Sequence, residues 1–175
     1  MTIASRPDRQ APLFHECLPP SPDEWVAIQN LYAYYNLCSD TGHAEGFASC
    51  FTPDGILDQE SRPIVLRGRG EILAYKRQEA GRRNGKYRRH WNSGLLLHKA
   101  VEGHVLGWCY LHAYDGNPGW LPVQQGAGIY HDTLRRVDGC WLFAERVLTM
   151  DARVEATAQL DRPGSWGKHA EQGAA

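Results

Sequence analysis

The second half of this sequence is divided by turn signals spaced so closely that little besides a meandering sheet can accommodate it. Glu102-Gly103, Asp115-Gly116-Asn117-Pro118-Gly119 and Asp138-Gly139 separate four strand-like segments, near 87–99, 104–114, 123–137 and 140–150. Asp138-Gly139 is a two-residue hairpin signal, joining a strand that ends near Val137 to one that starts Cys140-Trp141-Leu142-Phe143. Neighbours joined by such short turns pair antiparallel. Strands of this length curl rather than stay flat, and Gly94, Gly107, Gly126 and Gly128 are candidate bend or bulge points.

Helices precede the sheet and supply its cover. Ser21 and Glu24 have capping-box spacing, with Pro22 at the first helical position, where its missing N–H costs nothing. Trp25, Ile28, Leu31, Tyr32 and Tyr35 then recur at intervals of three and four, a wide apolar and aromatic stripe that must lie on something. A shorter helix from about His43 to Phe51 offers Phe47, Cys50 and Phe51 to the same core. Pro53 and Gly55 are expected to end it and to start an extended piece near Ile56 and Leu57. After an apolar run at Ile64 to Leu66, the segment from Gly70 to about Glu79 reads as a third helix carrying Ile72, Leu73 and Tyr75.

The fold expected is therefore α+β: a cone-shaped, strongly curved mixed sheet closed by N-terminal helices around a central pocket. Residues 1–20, rich in proline and polar side chains, read as an N-terminal arm, residues 21–151 as the ordered domain, and residues 152–175 as a polar C-terminal tail.

Charge and cysteine usage narrow the function classes. The 19 basic and 20 acidic side chains nearly cancel, leaving no global field for a polyanion. A local basic run holds Arg77, Arg82, Arg83, Lys86, Arg88 and Arg89, but no base-stacking platform or recognition-helix pattern accompanies it, and no nucleic-acid partner is expected. The apolar stretches fall short of a membrane span and no signal segment is evident, so a cytoplasmic location is the expectation. Cys17, Cys38, Cys50, Cys109 and Cys140 are odd in number and form no CxxC pair, and so read as reduced residues without a disulfide framework or zinc site.

Two polar residues stand out as candidate chemistry. Asp40 lies at the end of the first helix, in Ser39-Asp40-Thr41-Gly42, where the helix dipole disfavours negative charge; it is either a turn or cap residue or a pocket carboxylate. His90 lies in an alternating strand, with Arg88, His90, Asn92 and Gly94 on one face and Arg89, Trp91, Ser93, Leu95 and Leu97 on the other. That polar face either meets water or lines a cavity. In a cavity, an aspartate–histidine pair has a clear use: the carboxylate fixes the imidazole tautomer and stabilises imidazolium after the other nitrogen takes a substrate proton. Tyr32, Tyr35 and Tyr110 are candidate donors to a substrate oxygen, and sheet curvature could bring His112 towards His90. No histidine spacing matches a known metal motif.

A resemblance ties these residues together. Ile28-Gln29-Asn30-Leu31-Tyr32 running to Asp40, Phe51-Thr52-Pro53-Asp54-Gly55, Arg89-His90-Trp91-Asn92, Gly128-Ile129-Tyr130-His131-Asp132, and Gly139-Cys140-Trp141-Leu142-Phe143 with Glu145-Arg146-Val147 occur in an order that resembles the SnoaL-like branch of the nuclear transport factor 2-like superfamily, over residues 22–151. The resemblance implies a helix-closed cone, a homodimer or homotrimer, and no metal or organic cofactor. Scytalone dehydratase and hexachlorocyclohexane dehydrochlorinase within it carry an aspartate matching Asp40 and a histidine matching His90, which implies His90 as base, Asp40 as its orienter, and a lyase or isomerase acting on a small cyclic or aromatic molecule. Scytalone dehydratase has a tyrosine before its aspartate, where this chain has Ser39, and His112 only lies near its second pocket histidine. Arg146 matches a recurrent position, and with Tyr32, Tyr35, Asn92, Tyr110 and His112 completes the expected substrate-binding set. Polyketide cyclases and steroid isomerases of the superfamily perform related proton transfers. The same fold also serves as a non-catalytic ligand-binding protein or as the small structural subunit of aromatic-ring dioxygenases, the alternative reading.

Overall fold

The computed structural model describes residues 10–60, 64–82, 84–100 and 103–153. The first nine residues of the expected arm, Arg83 of the basic run, Glu102 of the first turn signal and residues 154–175 of the expected tail lie outside the described residues.

Three helices precede or interrupt the first strands, and a six-stranded mixed sheet follows. The helices are α1 (Pro22–Thr41), α2 (Ala44–Ser49) and α3 (Gly68–Gly81). The strands are β1 (Phe51–Gln59), β2 (Ile64–Arg67), β3 (Tyr87–Lys99), β4 (His104–Gly116), β5 (Val123–Val137) and β6 (Cys140–Arg153), in spatial order β2-β1-β6-β5-β4-β3. The sheet is an open, curved cone, and the helices close it.

Local sequence explains α1 closely. The capping box forms as spaced, with the Glu24 N–H donating to the Ser21 hydroxyl and the Glu24 carboxylate receiving the Ser21 N–H at 2.9 Å. Ile28, Leu31, Tyr32 and Tyr35 are buried, and Gly42 ends the helix in the left-handed conformation at φ 79°, donating to the Cys38 carbonyl. Three of the cysteines, Cys38, Cys50 and Cys109, are buried, and all five are free.

Two expectations about element boundaries change. The second helix stops at Ser49, and Phe51 already pairs with Phe143 of β6. Pro53 and Gly55 therefore do not end a helix; they sit in an irregularity inside β1, where the register jumps between Phe51 and Ile56. Such a bulge is where a strand tolerates a proline that cannot donate to the ladder. The pairing of β1 with β6 is also parallel, which makes the sheet mixed although the four strands from β3 onward are antiparallel.

The second change concerns the faces of β3. Its register with β4 shifts between Ser93 and Leu96, with Gly94 at φ 62° and packed so closely that a Cβ would stand 3.0 Å from the Tyr110 ring. One extra residue reverses alternation, because side chains change face at every step. Even-numbered residues up to Asn92 face the helices, and Leu97 faces them afterwards and is 1% exposed. Leu95 and Leu97 thus share the side of His90 rather than the opposite one.

Candidate functional site

Helix α1 docks on β3 through two polar pairs. Asn36 and Asp40 are four residues apart, about 6 Å along a helix; His90 and Asn92 are two apart, about 6–7 Å along a strand. The spacings match, and the contacts follow: the Asn36 amide donates to the Asn92 side chain, while Asp40 receives both the main-chain N–H of His90 at 3.1 Å and its ring Nδ1 at 2.6 Å. Asn92 also donates to the Tyr110 carbonyl at 3.2 Å. One carboxylate thereby fixes the backbone and the ring of the same histidine. With Nδ1 engaged, Nε2 is the nitrogen available for proton transfer, and the tautomer protonated on Nδ1 is the one a carboxylate partner selects.

The ring stands at the wall of a cavity of about 110 Å³, several times the space one buried water needs. Its side chain is 16% exposed and that of Asp40 9%, so the pair is shielded but reachable. All three helices contribute to the lining, with Tyr35 and Ser39 from α1, Phe47 from α2, and Lys76 and Glu79 from α3. Arg88 continues the wall from β3. It is bidentate to Asp115 at 2.7 and 2.9 Å and reaches Glu79 at 3.0 Å, and the Asp115 bonds hold its guanidinium firmly protonated.

A second polar cluster lies behind this cavity. Arg146 is fully buried, its guanidinium carbon 3.7 Å from the Tyr130 ring centre, 4.1 Å from Tyr35, 4.4 Å from Phe143 and 4.9 Å from Tyr32. Asp132 lies 3.6 Å from its Nε and accepts from the Tyr32 hydroxyl at 2.6 Å. Burial raises the Asp132 carboxyl to about 6, even though Arg146 and Tyr32 draw it down. Burial works against the Arg146 cation too, but Asp132, Tyr35 and Tyr130 outweigh it and keep it protonated. Tyr35 and Tyr130 line the cavity as well, so their rings partition it from Arg146. Burial lifts the Tyr130 hydroxyl to about 12 and Tyr35 well above its ordinary range, so both are neutral donors near neutral pH.

A SnoaL-like domain model matches residues 23–147, most of the chain. The chain belongs to the SnoaL-like domain family. No curated protein matches the sequence. Among solved structures, Aln2 from a Streptomyces species is similar, 28% identical over 77% of this chain and 95% of that one, with a TM-score of 0.69. Two others show the shared fold. A Novosphingobium aromaticivorans protein provisionally assigned to scytalone dehydratase is 23% identical over 81% and 96% of the two chains at TM-score 0.64. A Catenulispora acidiphila protein in complex with S-DNPA is 24% identical over 74% and 94% at TM-score 0.65.

In this SnoaL-like chain the expected residues separate into three groups. His90 and Tyr35 line the cavity, and Asp40 stands behind His90, bonded to its ring. Tyr32 and Arg146 belong to the buried cluster behind it, and Asn92 is occupied in docking α1; these three do not line the cavity as expected. Tyr110 and His112 lie on the outer face of the sheet. Leu111 and Ala113 between and beside them point inward, so strand alternation sends Tyr110, 56% exposed, and His112, bonded to Gln124 at 3.3 Å, the other way. His112 pairs with Trp91, not His90, so curvature does not unite the two histidines. No cluster of three potential metal ligands occurs among the described residues, and no described helix is long and apolar enough to cross a membrane.

Sequence reading missed Lys76 and Glu79. Their signal was present: Lys76 follows Ile72 by four and Glu79 by seven, so both share the face of α3 that buries Ile72. Treating charged residues as solvent-facing concealed it.

Proposed function

We propose that this SnoaL-like chain is a lyase or isomerase that abstracts a carbon-bound proton from a small cyclic or aromatic substrate, with His90 as base and Asp40 as its orienter. The observation that carries this reading is the 2.6 Å contact between Asp40 and His90 Nδ1 beside a cavity of molecular size. Nε2 takes the proton, and Asp40 stabilises the imidazolium that results. Returning that proton to a departing hydroxyl completes a dehydration; returning it to another carbon completes an isomerisation. Neither outcome requires a redox step. The fold shared with a protein provisionally assigned to scytalone dehydratase, and with one solved in complex with S-DNPA, supports a small-molecule substrate.

The test is a panel of cyclic β-hydroxy ketones and hydroxylated aromatics, incubated in D₂O and followed by NMR for loss of C–H signal and for product. Exchange or elimination by the wild type should fall by about 10²–10⁴-fold in His90→Ala, the range for a positioned acid–base group. Full turnover by a folded His90→Ala protein rules out the role.

A further inference from the structure

Burial of Ile28, Leu31, Tyr32 and Tyr35 presses α1 onto the sheet, but apolar burial is non-directional and does not fix where along β3 the helix comes to rest. The 2.6 Å contact between Asp40 and His90 Nδ1 is lost once the helix slides by about 1 Å. Directional contacts lie one turn upstream. Asn36 donates its amide to the Asn92 side-chain oxygen, and the Asn92 nitrogen donates to the Tyr110 carbonyl of β4 at 3.2 Å. Both ends of Asn92 are thereby committed, and turning its amide over would break both bonds. The Tyr110 carbonyl lies where β3 and β4 lose register, between Ser93, which pairs with Tyr110, and Leu96, which pairs with Trp108. Asn92 thus ties α1 to the main chain of β4 at the point where the ladder is interrupted. Asn36 carries a cost that packing does not explain: its Oδ1 is buried and receives no hydrogen bond among the described residues, although a leucine of similar size would bury only apolar atoms there. Neither asparagine lines the cavity.

We propose that Asn36 and Asn92 are positioning residues, a pin that sets the register of α1 along β3 and thereby selects the His90 tautomer protonated on Nδ1. The catalytic consequence rests on the reading of His90 as the base; the tautomer does not. The pin and the Asp40–His90 pair lie one turn apart on α1 and two residues apart on β3, so the two move together. With the pin in place, Asp40 stays within reach of Nδ1, the ring proton resides there, and Nε2 keeps the lone pair that a base needs. Without it the carboxylate draws away, the preference between the two nitrogens weakens, and Nε2 is protonated in a larger share of molecules. The pin acts through Asp40 and not on a ligand.

The test is NMR of the whole protein labelled with ¹⁵N-histidine, the His90 ring signals being identified by their loss in His90→Gln. In the wild type, neutral His90 should be the Nδ1–H tautomer. Asn36→Leu keeps the volume and removes the donor. It should retain a urea midpoint near that of the wild type while the ratio of Nδ1–H to Nε2–H forms falls by roughly tenfold, the factor that a hydrogen bond to a charged group supplies. Solvent exchange of the His90 main-chain amide, which Asp40 holds, should quicken in the same variant. Asn92→Ser, too short to meet Asn36, should act likewise and serves if Asn36→Leu does not fold. Tyr32→Phe removes a different hydrogen bond of α1 and should leave the ratio unchanged. Against the substrate panel, both asparagine variants should lose about 10²-fold in kcat with KM little altered. A wild-type ring protonated on Nε2, an unchanged ratio in the folded asparagine variants, or an equal fall in Tyr32→Phe would each overturn the pin. A shifted ratio with unchanged turnover would uphold the pin and overturn His90 as the base.

Discussion

Among the carboxylate pairs that cross elements, Asp132–Arg146 and Asp40–His90 differ most usefully in access. Asp132 and Arg146 pair across β5 and β6, inside aromatic rings, with Asp132 3% and Arg146 0% exposed. Asp40 and His90 pair across α1 and β3 at the wall of a cavity. The same elementary pairing, a carboxylate beside a nitrogen group, is sealed among aromatic rings in one setting and stands beside a cavity in the other. Tyr35 and Tyr130 are the boundary between the two settings.

Substitutions at His90 and Arg146 should separate the two pairs most sharply. His90→Ala should lose up to about 10⁴-fold in turnover while its unfolding free energy changes by about 1 kcal/mol. Arg146→Ala should instead lose about 3–5 kcal/mol in urea denaturation, because it strands the buried Asp132 charge. Equal stability losses in the two variants would erase the distinction.

The pH dependence of stability comes next. Asp132 rises to about 6 in the folded protein, above the ordinary carboxylate range, so the native state holds the proton more tightly than the unfolded chain. Its stabilising contribution is complete below about pH 4 and is lost as pH rises through about 6, roughly 3 kcal/mol in all. Urea midpoints across that window should therefore carry a falling component that Asp132→Asn removes, although the variant is less stable throughout. Smallest is Tyr32→Phe, which deletes the 2.6 Å hydrogen bond to Asp132 and should cost about 1.5–3 kcal/mol in the same assay, with turnover little changed.

Legibility in the sequence followed the range of the interactions. The capping box of Ser21, the aromatic stripe of α1 and the Asp138-Gly139 hairpin are local, and they appear as the spacing predicts. The parallel partnership of β1 with β6 depends on residues about ninety positions apart, such as Phe51 and Phe143, and no local pattern encodes it. The site was split in the same manner. By position alone Asp40 reads as readily as a turn carboxylate and His90 as part of a water-facing strand; the family resemblance is what joins them, and their side chains meet at 2.6 Å. Tyr110 and His112 were misplaced because the facing of β4 is decided by its neighbours rather than by its own polarity. Lys76 was overlooked although its helical spacing from Ile72 was in plain view.

The extra residue at Gly94 makes β3 two strands in one length of chain. Upstream of it, substitutions at Arg88 or His90 alter what a ligand meets; downstream, at Leu97, they alter the packing against Gly107 and Leu134. A single left-handed glycine thus lets one side of the strand be polar beside the cavity and apolar in the core within thirteen residues.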